Sequence, residues 1–407
     1  MNVVLLLEGQ GSYSTEKTKQ LIQHDSNASA LWKNADKILG WSISDLVHKN
    51  EHTGMLETDL AQPMIFLMEY TAWHCAKNTL PEAPNCVVGH SLGEITALAA
   101  AEVLCFEDAL LLTARRGEVM QKFTSKEPQG MAALIGASSA EAEQLCKQVS
   151  QELDLVLTCA NYNSPSQIVI SGYRKALERA AELTTSVLKP LQVTRAFHTP
   201  LMKFAADVMD EAMSKLKFYP SKIPVISGVT ARPYPASWTV RHLLKKQITS
   251  PVRWTEIMNY LQEKGFTTFL QTSERTLFRD MNPELRDVVC WGSLEQWSNG
   301  ELYNFDNLFR KGSSVLFAVG VLSDCLRKMI ANPWPENIAS EDVKQAQGCY
   351  HTVLDIWKKQ ASEPTQREVG LALKNLSKVL TIKKIDSKTK SEQIENILEK
   401  YGIKGMY

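Results

Sequence analysis

The stretch from Asn85 to Leu104 constrains the fold of this chain more than any other part of its sequence. A short apolar run, Cys86–Val88, leads into the residues GHSLG at 89–93, and an Ala/Leu-rich segment follows at once. This order predicts a strand, a tight turn and a helix. The turn matches the G-x-S-x-G pattern, in which glycines lift a serine hydroxyl clear of a sheet. By itself the motif leaves two interpretations open: a nucleophilic serine, or an ordinary strand–helix turn with a serine N-cap.

The composition is that of an ordinary globular protein and excludes several function classes. The 407 residues predict two or three domains, and the formal net charge of zero gives no sign of nucleic acid or an anionic membrane as a partner. Eight scattered cysteines without a CxxC pair argue against a zinc site or a disulfide framework and favour a reducing cytoplasm. The apolar start, Val3–Leu7, predicts a buried strand and not a signal peptide. We therefore expect a cytoplasmic protein without metal or cofactor.

The apolar periodicity predicts an α/β protein with an inserted small domain. Between Met131 and Val193 the pattern alternates in the order β-α-β-β-α-β, which is the order of a ferredoxin-like unit. We expect residues 127–196 to form this insert and residues 1–126 and 197–300 to form the larger α/β domain. Residues 301–407 carry helical periodicity and are expected to form a helical C-terminal extension.

A nucleophilic serine needs a base, and histidine is the usual one. His90 adjoins Ser91, but neighbouring side chains at such a turn point apart, so it is a poor base. His198 is the better candidate, because it follows the last strand of the insert, where the chain returns to the large domain. Ligand clefts form at such domain interfaces. The sequence pattern is also compatible with a purely structural role for His198.

Arg116 lies on an apolar helical stripe and therefore needs an anionic partner. On the predicted helix Phe106–Phe123 it shares a face with Leu112, Val119 and Met120, whereas Arg115 points towards Glu118. The partner of Arg116 is either an acidic side chain of the protein or a bound anion. A third interpretation is a surface arginine whose charged end reaches solvent.

Seven segments, in order, resemble the malonyl-CoA:acyl carrier protein transacylase family, which includes the acyltransferase domains of polyketide and fatty acid synthases. They are GQGS at 9–12, AQP at 61–63, GHSLGE at 89–94, RGEVMQ at 116–121, NSPSQIVISG at 163–172, AFHTPLM at 196–202 and SPVRW at 250–254. The resemblance covers residues 1–300. It implies a large α/β-hydrolase-like domain with a parallel sheet and a ferredoxin-like insert.

The resemblance also implies a role for each matching residue. Ser91 would be the nucleophile and His198 its general base and acid. The backbone carbonyl of Gln247 would orient the histidine in place of an acidic side chain. The backbone N–H groups of Gln10 and Leu92 would form the oxyanion hole.

For the substrate, the resemblance implies a carboxylated acyl group. Arg116 would bind the free carboxylate of a malonyl unit in a bidentate manner. Phe197 is the family's usual choice for unsubstituted malonyl, and His90, Gln62 and Asn163 match pocket positions with supporting roles. The implied donor is malonyl-CoA or a malonyl-type acyl carrier protein. The implied acceptor is the phosphopantetheine thiol of an acyl carrier protein.

The chain departs from the family at two loops, with Leu7-Glu8 before the GQG motif and Ser273-Glu274-Arg275 where a Gly-Pro-Gly turn is usual. These departures and the C-terminal extension favour a specialised, free-standing enzyme that serves a polyketide assembly line, with fatty acid synthesis as the other setting. Three alternatives stay open: a thioester hydrolase of the same fold, a non-catalytic scaffold that binds carrier protein, and an ordinary esterase.

Overall fold

The computed structural model describes residues 2–9, 15–49, 57–78, 80, 83–122, 127–272, 278, 281–282, 290–293, 325, 329, 340–358 and 366–400. The chain divides into two compact units, residues 1–302 and 303–407. Within the described part, no helix combines the length and the apolar character that crossing a bilayer requires.

The strands are, in chain order, β1 (Val3–Leu7), β2 (Cys86–Gly89), β3 (Gln129–Ile135), β4 (Leu157–Ser164), β5 (Gln167–Tyr173), β6 (Val187–Pro190), β7 (Val225–Ser227), β8 (Arg232–Pro233), β9 (Thr268–Gln271) and β10 (Cys290–Ser293). The helices of the first unit are α1 (Thr15–His24), α2 (Ser26–Leu39), α3 (Ile43–Lys49), α4 (Thr58–Ala76), α5 (Gly93–Ala100), α6 (Phe106–Lys122), α7 (Ser139–Leu153), α8 (Arg174–Leu183), α9 (Lys203–Met213), α10 (Val240–Thr249) and α11 (Trp254–Glu263). The fully described helices of the second unit are α12 (Ser340–Lys358), α13 (Gln366–Ile382) and α14 (Ser387–Lys400).

The main sheet of the first unit is mixed but mostly parallel, with the strand order β10-β9-β1-β2-β7-β8. Only β8 runs antiparallel to its neighbour. In β1, the side chains of Val3, Leu5 and Leu7 enter one apolar core, and those of Val4 and Leu6 enter another. Both faces of the sheet are therefore covered, which explains why β1 is an unbroken apolar run. The predicted α/β class with a parallel sheet is confirmed.

A second sheet of four antiparallel strands has the order β4-β5-β3-β6. Its elements follow one another as β3-α7-β4-β5-α8-β6. Apolar side chains of α7 and α8 pack on one face of this sheet and form a separate core. The backbone of β4 also pairs with Val252 beside the main sheet, where the Tyr162 N–H donates to the Val252 carbonyl at 2.9 Å. This pairing fixes the end of β4, including Asn163, against the larger sheet.

The described part of the second unit is helical. Side chains of α12, α13 and α14 share an apolar core that includes Val353, Leu376, Leu380 and Ile394. This core is distinct from the apolar cores of the first unit.

Two glycines bring the backbones of β1, β2 and α5 into direct contact. A Cβ at Gly93 would lie 2.3 Å from the Leu7 carbonyl oxygen, and a Cβ at Gly89 would lie 2.0 Å from the Gly93 oxygen. Backbone atoms cannot yield as a flexible side chain can. The close approach sets the position of the serine that lies between the two glycines.

We expect Gly93→Ala to lower the free energy of unfolding by about 3 kcal/mol or more, because the added methyl group overlaps backbone atoms. Denaturant unfolding of the purified variant measures this. Gly348→Ala is the matched control, since Gly348 lies within α12 and its Cβ would meet nothing within 4 Å. That change should be neutral or stabilising by about 0.5–1 kcal/mol. Equal effects of the two substitutions would contradict the packing at Gly93.

Candidate active site

Ser91 occupies a strained turn between β2 and α5. Its φ of 53° lies in the left-handed region, which costs a residue with a side chain about 1–3 kcal/mol and is concentrated at functional sites. The His90 N–H donates to the Leu7 carbonyl at 2.9 Å, and the Gly93 N–H donates to the His90 carbonyl at 3.0 Å. These bonds hold both sides of the turn, so the strain at Ser91 is maintained by its surroundings.

His198, the candidate base, lies next to Ser91. Its Nε2 is 2.8 Å from Ser91 Oγ, although the two residues are 107 positions apart. His198 also has a left-handed backbone, with a φ of 60°. Burial, and then the positive charge of Arg116, lower the pKa of His198 to about 3. The imidazole is therefore neutral and available to accept a proton.

The other ring nitrogen of His198 contacts a backbone carbonyl. Nδ1 lies 2.9 Å from the Gln247 carbonyl oxygen, which can only accept a hydrogen bond. Nδ1 therefore carries the proton, and Nε2 presents its lone pair to the serine hydroxyl. Among the described residues, no carboxylate is hydrogen-bonded to His198. The arrangement is a serine–histidine pair oriented by a carbonyl.

Arg116 is a buried cation directly beside the serine. Its side chain comes from α6, with only 3% of the residue exposed. Nη2 lies 3.3 Å from Ser91 Oγ and 3.4 Å from Gln247 Oε1, and Nη1 donates to Gln62 Oε1 at 2.8 Å. These partners are all uncharged. Burial lowers the pKa of Arg116 to about 10, and the negative charge of Glu94 opposes this effect.

No carboxylate of the described residues forms a salt bridge with Arg116, and its Nε has no hydrogen-bond partner there. The alternative of an internal acidic partner in direct contact therefore fails for that part of the chain. A buried guanidinium with unused hydrogen-bonding capacity is suited to a bound anion. Its predicted stripe is confirmed for Leu112, Val119 and Met120, whereas Phe123 lies outside the described residues.

A buried network behind the site was not predicted from the sequence. Glu94 accepts hydrogen bonds from Gln247 Nε2 at 2.5 Å, from the Gly228 N–H at 3.2 Å and from the Tyr234 hydroxyl. Gln247 Nε2 also donates to the Ser91 carbonyl at 2.9 Å. The side chain of Gln247 thus ties the serine turn to the carbonyl that faces His198. Burial raises the pKa of Glu94, while these donors lower it.

A sequence signal for Glu94 did exist. It is an acid within α5, where every residue is buried, and such an acid requires polar partners. Tyr234 offers no comparable signal, because it lies 140 positions from Glu94 and follows the two-residue strand β8.

His90 and Asn163 form a second polar pair at the site. His90 Nε2 lies 3.0 Å from Asn163 Oδ1, and Asn163 Nδ2 donates to Gln167 Oε1 at 3.1 Å. The His90 ring also makes an edge contact with Trp254 at 5.3 Å between centroids. Burial lowers the pKa of His90. These contacts hold the His90 ring, and among the described residues no hydrogen bond joins it to the serine hydroxyl.

The Leu92 N–H, at the start of α5, donates to no group of the described residues. It is therefore available to an oxygen atom near the serine. Gln10 lies outside the described residues, so its N–H is not located. The neighbouring Gly9 is located, with a φ of 69° and an N–H that donates to Glu69 Oε1 at 2.7 Å.

Glu69 is itself buried and links several elements. Its Oε2 accepts a hydrogen bond from Thr96 of α5 at 2.8 Å. Burial and then the nearby Glu8 raise the pKa of Glu69 to about 8. Glu8, one of the departures noted in the sequence, is 1% exposed and accepts a hydrogen bond from Thr272 at 2.7 Å.

Phe197 is buried, with 6% of its surface exposed, and it immediately precedes His198. Its carbonyl accepts a hydrogen bond from Ser171 of β5 at 3.0 Å. This bond attaches the histidine segment to the four-stranded sheet. The described residues contain no group of three histidine, cysteine, aspartate or glutamate side chains that could hold a metal ion.

The first unit contains the part of the chain that resembles a known family. The acyl transferase domain family matches residues 4–281. The malonyl CoA-acyl carrier protein transacylase of Bacillus subtilis (strain 168) is 34% identical over 273 residues, which is 66% of this chain and 86% of that protein. The chain belongs to the malonyl-CoA:acyl carrier protein transacylase family.

Other members of this transacylase family include the polyketide biosynthesis malonyl CoA-acyl carrier protein transacylase PksC of the same bacterium. It is 34% identical over 268 residues, 64% of this chain and 87% of that protein. Among solved structures, the transacylase of Coxiella burnetii has a TM-score of 0.70 at 28% identity and covers 74% of this chain and 97% of its own.

A malonyl-transacylase in complex with a type II polyketide acyl carrier protein has a TM-score of 0.69 at 26% identity. The match covers 74% of this chain and 100% of the transacylase chain in that complex. The chain is therefore an acyltransferase by family, with about 30% of its length beyond the family match.

Proposed function

We propose that this chain transfers a malonyl or malonyl-like group from a thioester donor to the phosphopantetheine thiol of an acyl carrier protein, through an ester on Ser91. The donor is malonyl-CoA or a malonyl-carrying carrier protein. One observation carries the proposal: the Arg116 guanidinium is buried, lacks a carboxylate partner among the described residues and lies 3.3 Å from the serine oxygen. In a malonyl ester, one methylene separates the ester carbonyl from the free carboxylate, so this carboxylate comes within reach of Arg116.

In the first step, Ser91 Oγ attacks the thioester carbonyl and its proton passes to His198 Nε2. The Leu92 N–H, and Gln10 by resemblance, stabilise the negative oxygen that forms. The carbon–sulfur bond then breaks, and the protonated His198 returns the proton to the leaving thiolate. The Gln247 carbonyl stabilises the imidazolium while it exists, in the role that an aspartate has in a triad.

In the second step, the carrier thiol gives its proton to His198 Nε2 and attacks the Ser91 ester. The ester bond breaks, and the serine oxygen takes the proton back. No water is consumed in either step. Arg116 holds the acyl group in one orientation throughout, which favours the positioned thiol over a diffusing water.

The remaining predicted residues are assigned supporting roles. We assign Gln62 to orient Arg116, with which it is hydrogen-bonded at 2.8 Å. His90 and Asn163 form a polar pocket wall through their mutual contact. Phe197 is assigned to limit substituents on the α-carbon of the malonyl unit, and its place beside His198 supports this role.

For the architecture, we propose an α/β-hydrolase-like domain of residues 1–126 and 197–300 with a ferredoxin-like insert at 127–196. The strand order of the antiparallel sheet and its β-α-β-β-α-β sequence support the name of the insert. Residues 301–407 form a helical extension in this proposal. The name of PksC supports service in polyketide biosynthesis, with fatty acid synthesis as the other setting.

The rate of malonyl loading should not fall around pH 6.5, where a histidine with an ordinary pKa would become protonated. The pKa of His198 in the folded protein, about 3, is below the ordinary value of 6.5, so the base stays neutral as the pH falls through that range. We expect the loading rate from malonyl-CoA to be flat between about pH 7.5 and 5. A half-loss near pH 6.5, with the fold intact by circular dichroism, would contradict this.

The low pKa of His198 also affects the free energy of unfolding. Because the unfolded state binds the proton of His198 more tightly, its contribution destabilises the folded state as the pH falls from about 6.5 towards 3. Below both pKa values the contribution no longer changes. The fold must therefore be checked at each acidic point of the rate profile.

The experiment that tests the proposed function supplies malonyl-CoA and a holo-acyl carrier protein and follows two products by mass spectrometry. Transfer predicts malonyl-carrier protein in large excess over free malonate. A thioester hydrolase would release malonate and leave the carrier thiol free. A non-catalytic scaffold would form neither product, and this outcome would also reject the proposal.

A further inference from the structure

A shallow groove lies between α9 and α10, outside the acyl site. Its volume is about 410 Å³, and its lining residues all belong to these two helices and the turn before α9. They are Pro200, Lys203, Ala206, Asp207, His242, Lys245, Lys246 and Thr249. The two helices run antiparallel, because Lys245 contacts Asp207 at 3.0 Å and Arg241 contacts Asp210 at 2.6 Å. Helices border the groove on two sides only. The groove is therefore open to solvent and can hold part of a large partner.

The walls of this groove are continuous with the two segments that carry the base and its orienting carbonyl. Pro200 lies two residues after His198, and Thr249 lies two residues after Gln247. His198 Nδ1 is in turn 2.9 Å from the Gln247 carbonyl. A partner seated in the groove therefore lies against the chain segments that form one side of the site.

The groove has an excess of positive charge, although the chain as a whole has none. Three lysines and one aspartate line it, whereas the full sequence holds 45 basic and 45 acidic residues. Lys245 is neutralised by Asp207 and by Asp210, at 3.0 and 3.2 Å. Lys203 and Lys246 are exposed and form no salt bridge with any of the described residues. These two ammonium groups are available to an anionic partner.

Two exposed aromatic side chains are close in sequence to residues that line the groove. Phe204, next to Lys203, is 60% exposed, and Trp238, just before α10, is 81% exposed. Large aromatic side chains are enriched in protein–protein interfaces, and basic groups of an interface recognise acidic groups of the partner. A small inorganic anion would use the lysines but not the exposed aromatic side chains. The combination favours a protein.

We infer that this groove is the docking site of the acyl carrier protein, with Lys203 and Lys246 facing its negative charge. The inference rests on the proposed function for the identity of the partner. A phosphopantetheine arm is joined to its carrier through a phosphodiester, so every loaded carrier presents negative charge at the base of the arm. Lys203 and Lys246 contact this phosphodiester, and Phe204 and Trp238 contact apolar side chains of the carrier.

The test is a double charge reversal, Lys203→Glu with Lys246→Glu, examined by binding and by kinetics. Binding of fluorescently labelled holo-carrier protein is titrated by anisotropy, which requires no chemistry at Ser91. We expect at least a tenfold rise in the Kd and a weaker dependence of the remaining binding on salt, because charge attraction has been removed. Loading of Ser91 from malonyl-CoA should be unchanged, and so should transfer to free pantetheine. Trp238→Ser should raise the Kd several-fold.

Lys33→Glu is the matched control, since Lys33 is exposed on α2, away from the groove lining, and its reversal should leave the Kd unchanged. An unaltered Kd in the double variant would overturn the inference. So would a tenfold rise in the KM for malonyl-CoA with carrier binding intact, because the groove would then hold the phosphates of CoA. Failure of the wild type to load a malonyl group counts against the proposed function alone, since the binding titration stands without it.

Discussion

Replacing His198 with alanine is expected to slow malonyl loading of Ser91 by about 10³- to 10⁴-fold, at the upper end of what general base catalysis contributes. Among the described residues, two side chains are hydrogen-bonded to Ser91 Oγ, and of these only His198, at 2.8 Å, can accept its proton, because Arg116 is a cation. With no base, the serine hydroxyl must lose its proton to water during attack. Rapid-quench mass spectrometry of the acyl-enzyme measures the rate.

Two further variants show whether the slower loading of His198→Ala comes from the lost base or from a disturbed backbone. His198 has a φ of 60°, a region that asparagine adopts more readily than alanine. His198→Asn should therefore fold at least as well as His198→Ala and load as slowly. His351→Ala is the control for removal of a histidine, since His351 is exposed on α12, and it should load normally. A loss of less than tenfold in both His198 variants would reject His198 as the base.

Replacing Arg116 with alanine should reduce malonyl loading by about 10²- to 10³-fold while leaving acetyl loading within a few-fold of the wild type. Two charge-assisted hydrogen bonds to a carboxylate, each near the lower end of about 1.5–3 kcal/mol, account for the size of this effect. An acetyl group has no carboxylate and gains nothing from the guanidinium. The ratio of the two rates from malonyl-CoA and acetyl-CoA is therefore the decisive quantity, and it is insensitive to a partial loss of folded enzyme.

Arg115→Ala is a close control for Arg116→Ala, because Arg115 is the preceding residue on α6 but is exposed and paired with Glu118. It should leave both rates unchanged. Arg116→Lys should recover only part of the malonyl rate, since a lysine cannot form the two parallel hydrogen bonds. If Arg116→Ala reduced acetyl and malonyl loading equally, the arginine would have a structural role, and the carboxylate preference would need another explanation.

Much of the site was predictable because its chemistry is encoded in short segments. The glycine-flanked Ser91, the histidine at the end of the insert and the arginine on an apolar stripe are each visible locally. Their convergence is not, since it depends on β2, α6 and the segment after β6 meeting in space. The sequence resemblance supplied that information, and the structure places Ser91, His198, Arg116 and the Gln247 carbonyl together.

The Glu94 network could not be predicted in the same way. Its members come from α5, α10 and the residue after β8, and Tyr234 carries no local pattern that indicates burial. For Gln247, the backbone carbonyl was predicted, but the hydrogen bonds of its side chain to Ser91 and Glu94 were not. A side chain's partners depend on packing that the residue's own neighbours in sequence do not determine.

Element boundaries show where apolar pattern and secondary structure differ. The apolar stretch after Ser91 predicts a helix to Leu104, but α5 ends at Ala100 and Glu102 adopts a left-handed φ of 59°. Val103 and Leu104 are nevertheless buried, so the apolar pattern at these two positions indicates burial and not helical structure. The last strand of the small sheet was predicted to Val193 but ends at Pro190, and one further hydrogen bond, from the Leu191 N–H to the Met131 carbonyl at 2.9 Å, follows it.

The central claim is that Ser91 carries a malonyl ester, and intact-protein mass spectrometry after mixing with malonyl-CoA tests it most directly. We predict that the wild-type chain gains the mass of one malonyl group and that Ser91→Ala gains none. Proteolysis should place the added mass on the peptide that contains Ser91. A wild-type protein without an adduct from any acyl-CoA or acyl-carrier donor, or an adduct that persists in Ser91→Ala, would contradict the account.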